Sequence, residues 1–220
     1  MIEKNEKTIK ATVTDKKLEE FLGKPKYEIT NILANDIPGI VNGLAYTSFG
    51  GDILPIEVVT YTSKEKTITT GNLGDVMKES VSIALGHIKS HAKEYDISMN
   101  KFEDLCIHIN AIEASVPKDG PSAGVCLTTA IISSLTKRSV PSIYAMTGEM
   151  TLTGKVLPIG GLKEKAIGAY KSGIKKVFIP KKNANDLDDV PKEVQKEIEF
   201  VLVDNYSEIY NEIFIKDEKK

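Results

Sequence analysis

Pro117-Lys118-Asp119-Gly120-Pro121-Ser122-Ala123-Gly124 decides how the rest of the chain is read. A Gly-Pro turn brings one serine to the start of a long apolar segment, 123–135. There Val125, Leu127, Ala130, Ile131, Ile132 and Leu135 make the segment apolar on nearly all sides. A helix apolar on all sides is a buried one, so the stretch predicts a serine at the N-terminal mouth of a core helix. At that mouth backbone N–H groups lack intrahelical partners and the helix dipole presents its positive end. Such a position suits a nucleophile with stabilisation for an oxyanion close by.

Upstream of the serine, residues 105–112 read as a strand feeding the loop. Residues 75–95 read as an amphipathic helix with Val76, Val81, Ile83, Ala84, Leu85 and Ile88 as its apolar positions. Segments 40–46, 53–62 and 67–69 read as strands, with Gly50-Gly51-Asp52 as a hairpin signal between the first two. Thr14-Asp15 caps a short helix through Leu18, Phe21 and Leu22, stopped by Gly23 and Pro25. Downstream, a strand over 143–152, a Thr153-Gly154 turn and a strand over 155–159 lead to Gly160-Gly161. These glycines open a helix over 162–172 that ends at Gly173. Segments 176–180 and 199–203 are short strands, 183–196 holds helical pieces, and 206–215 closes the chain as a helix. The sum is a mixed α+β (α/β) fold with several short sheets and interleaved helices. Residues 1–8 read as a polar leader or linker stub, 9–216 as the folded domain and 217–220 as a charged tail.

A chain of 220 residues buries a good core as one large domain or two small ones. Its 41% hydrophobic and 27% charged residues are ordinary for a soluble globular protein. A net charge of −2 gives no electrostatic reason to expect nucleic acid or an anionic membrane. Arg138 is the only arginine among 29 basic residues, which argues further against phosphate or base readout. Cys106 and Cys126 sit in apolar runs and read as small buried hydrophobes. Without a CxxC or a His/Cys cluster at ligand spacing, no metal site is expected. The charged N-terminus is no signal peptide, and no apolar run is long enough to span a bilayer. The expectation is a cytoplasmic or organelle-matrix protein in a reducing compartment, with no nucleic-acid site and no membrane contact.

Gly120-Pro121-Ser122-Ala123-Gly124 also satisfies the Gly-x-Ser-x-Gly spelling of a hydrolase nucleophile elbow. That fold needs its histidine after the serine, whereas His87, His91 and His108 all precede it. Triads in another order stay arithmetically open, but His87 and His91 lie four apart on one helical stretch, facing solvent or a neighbouring element. Lysine is the other known partner of a catalytic serine. Lys165 lies early in its helix, with Gly161, Leu162, Gly168 and Ala169 as helical neighbours, a small apolar face unlike the surroundings of Lys171, Lys175 or Lys176. An amine packed there loses solvation and its pKa falls. A drop from about 10.4 to roughly 7–8 costs about 4 kcal/mol and yields a neutral amine able to take a hydroxyl proton. On its residues alone, Lys165 reads as a solvated surface lysine, as most lysines are. Gly160-Gly161 with Lys163 and Lys165 also permits a phosphate cradle, though neither common phosphate-loop spelling is present.

Two long segments resemble one family. Residues 117–124 are similar to the serine motif of the Lon family of ATP-dependent proteases. Met146-Thr147-Gly148-Glu149, followed by Gly154 to Lys165, resembles that family's lysine motif. Gly43-Leu44-Ala45, Gly50-Gly51, Ile56-Glu57 and residues 71–80 match in the same order, so that the resemblance covers roughly residues 10–205. It implies a serine endopeptidase with a Ser–Lys dyad, Ser122 as nucleophile and Lys165 as general base and acid. It places the Thr147 hydroxyl beside the lysine amine and draws oxyanion donors from backbone N–H groups around the Gly120-Pro121-Ser122 turn, with Pro121 supporting and Asp119 shaping the loop. Taken alone, Thr147 is a plain strand threonine and Asp119 a turn residue bonding its own backbone. The family carries an AAA+ ATPase module before this domain, works as a homo-hexameric ring around a closed chamber and degrades unfolded polypeptides. ATP and magnesium are therefore expected only with that module and no cofactor in this chain, which is expected to be the proteolytic domain alone. The sequence departs from the family at His108-Ile109-Asn110, where His-x-His is common, at Ile112-Glu113-Ala114, where Pro-Glu-Gly is common, and at Tyr46, where tryptophan is common. His108 is expected to be structural. The rival readings are a self-contained peptidase needing no ATPase and a non-catalytic oligomerisation scaffold, which would ordinarily have lost the serine or the lysine.

Overall fold

The computed structural model describes residues 13–23, 36–47, 50–112 and 117–215. The expected leader (1–8) and tail (217–220) lie outside the described residues. In chain order the elements are α1 (Asp15–Leu22), β1 (Ile40–Thr47), β2 (Gly50–Thr62), β3 (Thr67–Thr70), α2 (Asp75–Ser90), α3 (Asn100–Asp104) and β4 (Leu105–Ala111). A 3-10 turn Pro121–Ala123 then runs into α4 (Gly124–Thr136), followed by β5 (Tyr144–Met146), β6 (Glu149–Met150), β7 (Val156–Leu157) and α5 (Leu162–Lys171). The chain ends with β8 (Lys176–Pro180), a 3-10 stretch Lys181–Asp189, α6 (Lys192–Glu197), β9 (Glu199–Val203), α7 (Tyr206–Tyr210) and a π-helical turn Asn211–Ile215.

Successive side chains of a strand point to opposite faces, and β1 and β2 use this to feed two cores. Val41, Leu54, Ile56 and Val58 join Ile107 and Ile109 of β4 in a core with the buried faces of α2 and α4. Leu44 and Ile53 turn the other way and pack with Leu162, Ala166 and Ala169 of α5 and Val194 of α6. The strands gather into a seven-stranded mixed sheet, ordered β3-β4-β2-β1-β5-β8-β9, and a two-stranded β6–β7 ribbon. The α+β class therefore holds, with two sheets where the sequence led us to expect several short ones. β1 pairs antiparallel with β2 and parallel with β5, so the sheet changes character at its centre.

Several local expectations change. The strand expected over 143–152 breaks after Met146: the Thr147 N–H makes the last bond of the ladder to β8, and the Gly148 N–H leaves it. Thr147 donates to the Phe178 carbonyl at 3.0 Å and Gly148 to the Ser122 carbonyl at 2.8 Å. β1 and β2 pair antiparallel as the hairpin signal requires, but Gly50 and Gly51 belong to β2, opposite Thr47 and Tyr46. The helix expected over 75–95 stops at Ser90, and Val76 on it is exposed while Met77, Ser80 and His87 are buried. The short first helix forms, but Leu18, Phe21 and Leu22 stay exposed. By contrast α4 is buried at every position from Gly124 to Leu135, as its composition requires. Among the described residues no helix is long and apolar enough to cross a membrane.

Candidate active site

The serine loop is fixed from both ends. After β3, Leu73 pairs with Lys118, while the Gly74 N–H donates to the Lys118 carbonyl at 2.7 Å and the Lys118 N–H to Asn72 at 3.0 Å. Asp119 then turns its carboxylate onto two donors, the Met77 N–H at 3.0 Å and its neighbour's Gly120 N–H at 2.9 Å. Met77 lies in the first turn of α2, whose N-cap Gly74 has no side chain to offer. Asp119 thus caps that helix from another part of the chain, besides forming the local turn expected of it. Gly120 sits at φ 120°, a conformation that a side chain would strain. The Pro121–Ala123 turn follows and delivers Ser122 to the head of α4.

Beyond Ser122 the loop is tied to the break between β5 and β6. The Ser122 carbonyl accepts from the Gly148 N–H at 2.8 Å and from the Thr147 hydroxyl at 3.2 Å, and the Val125 N–H donates to Gly148 at 3.1 Å. The departure of the Gly148 N–H from the sheet, with the Thr147 hydroxyl beside it, is therefore what clamps the serine turn. Thr147 itself is fully buried.

Lys165 arrives from the opposite face of the sheet. Its helix comes so close to β2 that a Cβ built on Gly51 would stand 1.8 Å from the Glu164 carbonyl oxygen. Gly168 reciprocates, its Cβ position lying 2.4 Å from the Gly51 carbonyl carbon. Only glycine at both positions permits this backbone contact, which sets the depth at which Lys165 enters. The side chain is 4% exposed. Its amine lies 3.0 Å from Ser122 Oγ and donates to Thr147 Oγ1 at 3.2 Å. Burial pulls the amine down from 10.5 to about 8, since low polarity disfavours the ammonium form. An amine whose pKa lies close to physiological pH, in contact with a hydroxyl, can take and return a proton.

The structure brings Ser122, Lys165 and Thr147 together, with Asp119 and Gly120 one step away in the loop. Pro121 has no N–H to offer, and the Gly120 N–H is engaged by Asp119. The Ser122 N–H, at the second position of its 3-10 turn, has no intrahelical acceptor. The three histidines lie apart from this group. His87 is buried, with Nε2 2.7 Å from the Tyr95 hydroxyl and Nδ1 3.0 Å from the Leu152 carbonyl. Burial lowers its pKa. His91 touches Ser90 and the His87 carbonyl. His108 stands between Tyr61 and Thr70 on the outer face of the sheet. Sequence reasoning missed Gly51 and Gly148. Two glycines in one strand start and one helix were the available signal for the first, because glycine inside such elements marks a close backbone approach.

A family profile described as the Lon protease (S16) C-terminal proteolytic domain matches residues 12–216. The chain is 52% identical over 202 residues to the Lon protease of Mycoplasma mycoides subsp. mycoides, covering 92% of this chain and 25% of that protein. It is 44% identical over 208 residues to Lon protease 1 of Bacillus subtilis, covering 94% of this chain and 27% of that protein. To the Lon protease of Aster yellows witches'-broom phytoplasma it is 43% identical over 217 residues, covering 98% and 27%. The chain thus spans about a quarter of the length of these curated relatives.

Proposed function

Because the chain belongs to the family of Lon protease (S16) C-terminal proteolytic domains, we propose that it is a serine endopeptidase domain working through a Ser122–Lys165 dyad. The observation that carries this reading is the buried Lys165 amine, 3.0 Å from Ser122 Oγ and lowered to about 8. At pH 7 about a tenth of such an amine is neutral, enough to act as base without a histidine. Neutral Lys165 takes the Ser122 proton as Oγ bonds to the carbonyl carbon of the substrate. Negative charge then develops on the carbonyl oxygen, toward the Ser122 N–H and the positive end of α4. The Lys165 ammonium gives its proton to the amide nitrogen, the C–N bond breaks, and an ester on Ser122 remains. Water, deprotonated by the same amine, attacks the ester and restores both groups.

Thr147 orients the base. Its hydroxyl accepts from Lys165 and donates to the Ser122 carbonyl, so it ties amine and serine turn to one point. Asp119 acts one step further out, holding the loop to α2. For the longer protein that the relatives represent, the reading extends to unfolded polypeptide substrates delivered by an AAA+ ATPase module, and to a homo-hexamer in the cytoplasm or an organelle matrix. ATP and magnesium belong with that module and not with these residues.

The test is cleavage of a fluorogenic, unstructured peptide against pH, at high protein concentration, for wild type, Ser122→Ala and Lys165→Met. The expected result is a rising limb with a midpoint near 8 in the wild type, and at least about 10³-fold loss in both variants. Wild-type rates in Lys165→Met would remove the dyad.

A further inference from the structure

The outer face of the large sheet is covered unevenly. α5 lies over Leu44, Gly51 and Ile53, but further along the same face of β2 Val59 and Tyr61 are exposed. A cleft of about 280 Å³ opens there, lined by Glu57 and Val59 of β2, Thr70 of β3, and His108 and Asn110 of β4. A run of hydrogen bonds across three strands fixes its walls. The Tyr61 hydroxyl and Thr70 Oγ1 each lie 3.2 Å from a ring nitrogen of His108. Thr70 Oγ1 donates to Asn110 Oδ1 at 2.9 Å, which leaves the Asn110 amide to donate to Glu57 Oε2 at 3.4 Å. That long bond is the one polar contact of Glu57 among the described residues, and neither lysine nor arginine lines the cleft. The carboxylate charge is therefore uncompensated where it faces the opening.

The cleft also lies on the way to the serine. Thr70 and Asn110 form the last ladder pair of β3 and β4. The chain after β3 runs on through Gly71 and Asn72 to Leu73, which pairs with Lys118 at the start of the serine loop. Gly71 and Asn72 take positive φ and bend the chain, so the cleft stands close to that loop, with only these two residues between Thr70 and the Leu73 pair.

Building on the endopeptidase reading, we propose that this cleft is a specificity subsite for a cationic side chain, lysine or arginine, of an extended substrate, several residues away from the scissile bond. Glu57 supplies the opposing charge, Asn110 and Thr70 hold the carboxylate in place, and Val59 receives the methylene stem of the incoming residue.

Peptide pairs test it, identical except for one lysine or norleucine placed at successive positions on either side of the scissile bond. They are assayed at low salt with wild type, Glu57→Gln and Glu57→Lys. At one register the lysine peptide is expected to exceed its norleucine partner in kcat/KM by about threefold to tenfold. The ratio falls to about one in Glu57→Gln and at high salt, and Glu57→Lys favours a glutamate peptide instead. A wild-type ratio of one at every register, or a ratio unchanged in Glu57→Gln, overturns the subsite. Anisotropy of the same peptides with Ser122→Ala, alone and combined with Glu57→Gln, separates this proposal from the dyad. Lysine-dependent binding that Glu57→Gln removes, beside a wild type that cleaves nothing, keeps the subsite and sinks the dyad. Cleavage without any charge preference does the reverse.

Discussion

Helices α4 and α5 press on opposite faces of the same sheet and bury different kinds of group. α4 hides its polar side chains as neutral hydroxyls that are already satisfied. Thr128 and Thr129 donate to carbonyls four residues back, at 2.9 and 2.8 Å, and Thr129 also meets the Tyr206 hydroxyl at 3.0 Å. A buried neutral group with a partner costs little. α5 hides an amine whose partners are two hydroxyls and no carboxylate. That arrangement works against stability at neutral pH, and chemistry at Ser122 accounts for its presence. One helix is built for the core and the other carries a cost for reactivity.

The largest expected effect follows from that cost. The pKa of Lys165 in the folded chain, about 8, lies below its unfolded value of 10.5. Between these values the unfolded chain binds more protons, so wild-type stability rises with pH across the window. Lys165→Met, which keeps the volume and removes the charge, is expected to be more stable than wild type at pH 7 by up to about 3 kcal/mol. The advantage shrinks as pH passes from 8 toward 10.5. Thermal unfolding at both ends of that range checks it, and a methionine variant less stable at pH 7 would erase the contrast between the helices.

Thr147 sharpens the comparison. Removing its hydroxyl with Thr147→Val takes an acceptor from the Lys165 ammonium and a donor from the Ser122 carbonyl. Peptide cleavage is expected to fall about 10- to 100-fold, and the rising limb of the pH profile to move to lower pH, because the ammonium has lost a stabilising partner. Thr147→Ser keeps the hydroxyl and is expected to restore both. A profile that does not move in Thr147→Val would make Thr147 only a packing residue. The smallest effect is expected in α4. Thr129→Val leaves the buried Tyr206 hydroxyl without that partner and costs about 1–2 kcal/mol, visible in denaturant unfolding, with kcat unchanged.

The same two helices mark how far the sequence could be read. α4 was legible because an apolar composition on nearly all sides, with only small hydroxyl residues between, has one physical outcome. The start of α5 was legible from Gly160-Gly161, and the small residues around Lys165 signalled burial without establishing it. The meeting of Ser122 and Lys165, 43 positions apart, follows from no spacing rule; only the family resemblance brought them together on paper. The hairpin signalled at Gly50-Gly51 forms, but Gly51 lies inside β2, and its reason is a helix more than a hundred residues downstream whose backbone touches it. The break at Thr147 was invisible for a similar cause. Residues 143–152 have strand character throughout, and the Gly148 N–H that leaves the ladder bonds to Ser122, a partner remote in sequence. Local pattern sees propensity and periodicity, whereas these two features are set by long-range contact.

The central claim is that burial holds Lys165 near neutrality beside Ser122. Its most direct test is an NMR titration of the side chain in protein labelled with ¹³C-lysine, the resonance assigned by its disappearance in Lys165→Met. A midpoint near 8 is the predicted result. A midpoint at the ordinary lysine value of about 10.4 would contradict the account, because the neutral share at pH 7 would then fall from about a tenth to below about a thousandth, leaving no effective base for the serine.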